Sequence, residues 1–208
     1  MVGSWLCDRC RTRIRRLEEP LCRRCGVELF SARKDCACRV RLKSLTRLRS
    51  AVAYEGPIEP AVHRFKYEGW RRLAGPLASL IAERLAVEGV SAPWVVAVPL
   101  HPMRERQRGF NQAELLAREL RRRLVIGVPP GVLVRTRATP PQVGHDRKRR
   151  FENVLGAFAW NGGRLEGESI LLIDDVATTG ATLDACASAL REAGSGPVTG
   201  VSVARVNV

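Results

Sequence analysis

The 208-residue chain carries 35 Lys and Arg against 21 Asp and Glu, a formal net charge of +14, and 45% of its residues are hydrophobic. That length suits one globular domain with a small appendage, and the apolar content is that of a folded core; a disordered chain, a fibre and a bare coiled coil are excluded. No apolar run approaches the ~20 residues of a membrane-spanning helix, and charges run through the first residues where a signal peptide needs an apolar stretch, so the expected location is cytoplasmic.

The positive charge is unevenly placed. Residues 1–50 hold 14 basic and 5 acidic side chains (+9), whereas residues 51–208 hold 21 and 16 (+5). Six of the seven cysteines also lie at the front, as Cys7-x2-Cys10, Cys22-x2-Cys25 and Cys36-x-Cys38. In a reducing compartment such pairs favour a metal over disulfides. Residues 1–45 have few large apolar side chains and no sustained period, so they cannot bury a core of their own, and a domain boundary is expected there, with 46–208 as the second domain. Cys7, Cys10, Cys22 and Cys25 have the knuckle spacing of a tetrahedral Zn²⁺ site and form the preferred ligand set; Cys22, Cys25, Cys36 and Cys38 form the alternative. Cys186, alone in a helical pattern, reads as a packed small apolar residue.

Beyond the cysteines, residues 51–54 read as a first strand. Leu73, Leu77, Leu80, Ile81 and Leu85 recur at helical spacing, with Gly89 as a stop. Residues 94–98 (WVVAV), closed by Pro99, have the β-branched, wholly apolar character of a strand buried on both faces. Asn111-x-x-Glu114 has capping-box form ahead of a helix carrying Ala113, Leu116, Ala117 and Leu120. Residues 132–134 are a short strand, and 135–153, polar and bearing Pro140-Pro141, read as a long mobile loop. A buried strand over 170–173 (ILLI), a helix over 179–193 closed by Gly194 and a last strand over 198–203 complete the chain. Strands alternating with helices of this length predict an α/β fold, a parallel sheet with helices on both faces.

The most informative stretch runs from Ile170 through Asp174, Asp175, Ala177, Thr178, Thr179, Gly180, Ala181 and Thr182. A buried strand delivers two acids to its C-terminal end, where ligands bind in open α/β sheets. A small-residue turn then opens into a helix. Backbone N–H groups at the helix start, together with the Thr178, Thr179 and Thr182 hydroxyls, make a cradle for a phosphate monoester, and Gly180 lets the backbone approach it. Two carboxylates beside an anion make chemical sense if the phosphate hangs from a sugar whose hydroxyls donate to them. A P-loop ATPase is excluded, because no Gly-Lys-Ser/Thr occurs: the four lysines follow Arg33, Leu42, Phe65 and Arg147.

This string resembles the signature of type I phosphoribosyltransferases, which bind phosphoribosyl pyrophosphate (PRPP). His63-Arg-Phe-Lys-Tyr67-Glu-Gly69, Val98-Pro-Leu-His-Pro102 with Arg-Gly-Phe-Asn-Gln112, Thr139-Pro-Pro-Gln142 and Asn153-Val-Leu-Gly-Ala-Phe158 are similar, in order, to motifs of the ComF family, bacterial competence-associated proteins that join a cysteine finger to a phosphoribosyltransferase domain. The resemblance spans nearly the whole chain. It implies that Asp174 and Asp175 hold the ribose hydroxyls, that Ala177, Thr178, Thr179, Gly180, Ala181 and Thr182 hold the 5′-phosphate, and that Arg104, Arg106 and Arg108 take the pyrophosphate, whose oxygens suit guanidinium forks. Mg²⁺ would come with PRPP and keep several waters. The loop over 135–153 is implied as a lid. Thr178 stands where 6-oxopurine salvage enzymes carry an Asp, which disfavours that acceptor. Relatives of this pattern often have four Cys-x2-Cys pairs; here one is missing and the last is Cys36-x-Cys38, which keeps both ligand sets open.

Three functions follow. The resemblance implies a DNA-uptake accessory whose basic finger meets single-stranded DNA or a competence helicase while the second domain binds PRPP; the alternatives are an active phosphoribosyltransferase on an unidentified acceptor and a PRPP sensor without chemistry. Trp5 or Phe30 offers a stacking surface to DNA, and Arg11, Arg13, Arg15 and Arg16 offer charge. His63, His101 and His145 read as structural or exposed.

Overall fold

The computed structural model describes residues 7–29, 36, 38, 42–137 and 154–206. Four parallel strands form the sheet: β1 (Arg47–Ala53), β2 (Trp94–Ala97), β5 (Ile170–Ala177) and β6 (Val198–Arg205), in the order β1-β6-β5-β2. Two further strands, β3 (Gly131–Arg135) and β4 (Phe158–Gly162), pair antiparallel as a separate ribbon. Among the described residues the helices are α1 (Asp8–Thr12), α2 (Ile58–Tyr67), α3 (Ala74–Val87), α4 (Pro102–Arg108), α5 (Gln112–Leu124) and α6 (Ala181–Glu192).

Side chains of a strand alternate between the faces of a sheet, and the core divides accordingly. Leu171 and Ile173 join Val52, Val95, Val201 and Val203 in a cluster with α2, α3 and α5. Ile170 and Leu172 face the other way, with Leu48, Val96 and Val198, into a cluster that takes in α6, the β3–β4 ribbon and the buried Cys22, Cys25 and Cys38. Helices therefore cover both faces, as a parallel sheet requires. The N-terminal segment covers one edge: Ala53 N–H donates to Arg15 O at 3.0 Å and Leu48 N–H to Arg24 O at 2.7 Å, which closes the open side of β1.

Several elements run longer than the local apolar signal. The first strand begins at Arg47 rather than at 51, and β5 continues past Ile173 to Ala177 because β6 pairs with it as far as Ala177 and Arg205. The helix expected over 179–193 starts at Ala181, since Gly180 adopts a left-handed φ of 81° at its N-cap. Asn111 caps α5 as expected, its side chain accepting from Ala113 N–H at 3.0 Å. Helices α1, α2 and α4 and strand β4 have no counterpart among the expected elements. Of the expected loop, residues 138–153 lie outside the described residues, with Thr139, Gln142, His145 and Asn153; so do Trp5 and Phe30.

Candidate functional site

At the C-terminal end of the sheet β2 stops at Ala97, opposite Ile173, while β5 runs on. Asp174 and Asp175 are thus strand residues on an overhang, not residues of the turn. Asp174 keeps access to solvent but lies deep among protein atoms. That burial, followed by the charge of Asp175, pushes its carboxyl up from 3.8 to about 7, against the opposing pull of Lys66, the Asp175 N–H and Arg135. The Asp175 N–H donates to Asp174 Oδ1 at 2.8 Å. Asp175 is buried and paired, its Oδ1 2.8 Å from Lys66 Nζ at the end of α2. Burial works against the Lys66 charge, yet the ion pair outweighs it and holds the ammonium above its usual range.

After Ala177 the chain passes through Thr178 and Thr179 to Gly180 and into α6. The Thr179 hydroxyl accepts from Ala181 N–H at 3.3 Å. Gly180 has a structural reason beyond ligand approach. A Cβ there would sit 3.0 Å from Leu48 Cδ2 and 3.1 Å from Leu42 Cδ2, and its φ is one that side-chain-bearing residues rarely adopt. The loop is therefore pressed onto the core from below, with the positive end of a twelve-residue helix dipole behind it. The arrangement can hold an anion at the helix start and hydroxyl donors at the two carboxyls.

The sulfurs of Cys22, Cys25, Cys36 and Cys38 all lie within 4.8 Å of one another, with Cys22 to Cys38 at 3.5 Å and Cys25 to Cys36 at 3.4 Å. Zn–S bonds of ~2.3 Å in a tetrahedron put sulfurs ~3.8 Å apart, so the four can hold such an ion. Two observations strengthen the fit. Burial resists a charge on Cys22, but N–H groups of Cys25 and Arg24 outweigh it and bring the thiol to about 7. Arg205, 6% exposed, lies near all four sulfurs; burial lowers its pKa against their opposing pull, and its Nε and Nη1 have no hydrogen-bond partner among the described residues. A buried guanidinium of that kind is compensated by a thiolate cluster with net negative charge. Of the two ligand sets, the structure brings together the alternative one and not the preferred one. Cys7, at the N-cap of α1, and Cys10, within it, lie apart from that cluster as free thiols hydrogen-bonded to each other, with Cys10 against the α2 face of the core. Sequence spacing could not tell the two pairs apart.

No family model matches the chain. Curated relatives do. The chain is 31% identical to "DNA utilization protein YhgH" of Escherichia coli K12 over 95% of its length and 89% of the relative's. It is 30% identical to "Competence protein F" of Haemophilus influenzae, covering 93% and 87%, and 30% identical to "Competence protein ComFC" of Bacillus subtilis, covering 91% and 79%. The chain belongs to the ComF family. Among solved structures, TT1426 from Thermus thermophilus aligns at 19% identity and a TM-score of 0.33, over 64% of this chain and 82% of that one.

In this ComF-family chain the three expected pyrophosphate arginines fall on the helix α4. Arg104 and Arg108, four apart, share a face. Arg104 is close enough to Arg135, at the end of β3, that its charge adds to burial in lowering the Arg135 pKa. The Arg108 guanidinium lies over the Tyr67 ring at 4.9 Å and donates to Gln112 Oε1 at 2.6 Å. Arg106 is exposed. His101 is structural, its Nδ1 accepting from Met103 N–H at 3.3 Å to cap α4, and His63 is exposed. Two residues went unassigned in sequence: Lys66, which the His63 to Gly69 motif contains, and Arg135, which ends a strand rather than opening a loop. Both carry charge toward the acids. On the finger, Arg15 pairs with Glu28 at 2.7 Å and Glu55 at 2.6 Å, and Arg16 with Glu83 at 2.5 Å. Arg11 and Arg13 are the exposed members of the expected basic set without such an acidic partner in these pairings.

Proposed function

We propose that this ComF-family protein binds PRPP with Mg²⁺ at the β5–α6 loop and acts as an accessory of DNA uptake, with a zinc-held knuckle at its front. The observation that carries the reading is the overhanging acid pair beside the threonine loop at the start of α6. Asp174 and Asp175 accept the ribose hydroxyls; Thr178, Thr179 and Thr182 with the N–H groups at the start of α6 take the 5′-phosphate. Lys66 holds Asp175 in place, and Arg104, beside Arg135, faces the position of the pyrophosphate. When bound, Mg²⁺ neutralises pyrophosphate oxygens and keeps part of its water shell. The knuckle ligands are Cys22, Cys25, Cys36 and Cys38. The names of the relatives, a DNA utilization protein and two competence proteins, support the uptake role. The basic finger supports contact with single-stranded DNA or with a helicase, through Arg11 and Arg13 first. Absence of the 178 carboxylate argues against 6-oxopurine transfer. Pyrophosphate release measured against a panel of bases and amines separates an active transferase from a PRPP-binding sensor, and ligand-dependent thermal stabilisation tests binding itself.

A further inference from the structure

The cysteine cluster and the anion loop are far apart in sequence, yet three sets of contacts join them. Cys38 O accepts from Leu42 N–H at 2.8 Å, which ties Leu42 directly to a candidate metal ligand. Arg24, between Cys22 and Cys25, donates from Nε to Leu42 O at 2.9 Å. The Leu42 side chain, 1% exposed, lies directly beneath Gly180. The next three residues then give their backbone N–H groups to one carboxylate in the first turn of α6: Lys43 to Asp184 Oδ2 at 3.1 Å, Ser44 to Oδ1 at 3.0 Å and Leu45 to Oδ1 at 2.9 Å. Asp184 is 9% exposed. On the other side, Arg205 faces the sulfurs while its register partner is Ala177, the last residue before the loop, and Val206 N–H donates to Ala177 O at 3.0 Å.

We propose that metal binding at the knuckle and anion binding at the loop are reciprocally coupled through Leu42 and Asp184, each tightening the other. The coupling rests on the anion-loop reading given above. Without a metal, no side-chain cross-link holds Cys22 and Cys25 to Cys36 and Cys38, and the strap over 42–45 loses the anchor that Cys38 gives it. Leu42 then no longer braces the left-handed Gly180, and three N–H groups are free to leave Asp184. A loop that must be ordered when its ligand arrives binds that ligand less tightly, and linkage makes the effect equal in both directions. Asp184 is a positioning residue: it touches neither site's ligand.

The test uses the full chain and ribose 5-phosphate, a probe that needs no divalent cation. Zinc affinity is measured by competition with a chromophoric chelator, with and without saturating probe, and probe binding is followed separately by calorimetry. Couplings of this class run from ~5-fold to ~150-fold, and the wild type is expected to bind zinc at least ~5-fold more tightly with the probe present. In Asp184→Ala that factor falls to near one while one zinc still binds, and Asp184→Asn, which keeps an acceptor oxygen, recovers part of it. Calorimetric binding of the probe with unchanged zinc affinity in the wild type overturns the coupling and leaves the anion loop standing. Failure of the probe to bind at all overturns the anion-loop reading, and the coupling with it. If Asp184→Ala does not fold, Leu42→Ala makes the same comparison, and an undiminished factor there refutes the strap.

Discussion

Asp174→Asn removes a single charge whose effect on stability has a definite pH signature. The Asp174 carboxyl is held at about 7 against an ordinary value of 3.8, so the folded chain keeps a proton that the unfolded chain has released. A group raised in this way contributes its stability in full below the unfolded value and loses it as pH rises through the folded one. Between pH 6 and pH 8 its folded protonation drops from roughly nine-tenths to one-tenth while the unfolded carboxyl stays ionised, which integrates to about one pKa unit, or ~1.4 kcal/mol. Asparagine carries no charge at either pH and does not share the loss. For a chain of this size the difference amounts to ~3–6 °C in melting temperature. Thermal melts of ligand-free wild type and variant at pH 6, 7 and 8, at constant ionic strength, read it directly; the cysteine cluster is common to both and cancels. The gap between variant and wild type should widen in the variant's favour as pH rises. A gap that stays constant refutes the buried, proton-holding acid.

Metal analysis separates the two cysteine sets: Cys7→Ser with Cys10→Ser should retain one zinc per chain, and Cys22→Ser or Cys38→Ser should lose it and much of the finger's stability. Gly180→Ala should cost ~1–2 kcal/mol, from the left-handed backbone and the Leu42 and Leu48 contacts, and weaken ligand binding as well; a neutral effect on both contradicts the packing beneath the loop. Charge reversal at Arg11 and Arg13 should weaken single-stranded DNA binding and flatten its salt dependence. Reversal at Arg15 and Arg16 acts mainly through their ion pairs with Glu28, Glu55 and Glu83 and should lower stability instead, which circular dichroism melts would show.

The sheet was legible where β-branched runs left no other reading: 94–98, 170–173 and 198–203 all appear as strands, and the parallel order follows from the helices between them. Strand ends were not, because Asp174 to Ala177 are held in β5 by pairing with β6 and not by their own propensity. Helix α2 left a signal that went unread: Ile58, Ala61, Val62 and Phe65 recur at helical spacing, and Pro60 in the first turn costs no intrahelical bond. The acid pair and its threonine loop are contiguous in sequence and lie together at the β5–α6 junction, whereas the Lys66 partner of Asp175 lies far upstream in the chain and no local pattern links them. The grouping of the cysteines was hidden for a similar reason. Cys7-x2-Cys10 and Cys22-x2-Cys25 are alike in spacing, and only the packing of α1 against the α2 side separates them. The charge count likewise overstated the finger's free basic surface, because Arg15 and Arg16 are neutralised by acids as far off as Glu83.

Calorimetric titration of PRPP with Mg²⁺ into the wild type and into the variant carrying both Asp174→Asn and Asp175→Asn tests the central claim most directly. Saturable one-site binding by the wild type, lost in a double variant that still melts cooperatively and retains its zinc, is the predicted result. Equal binding by the two proteins, or none by the wild type, would contradict the assignment of the β5–α6 loop.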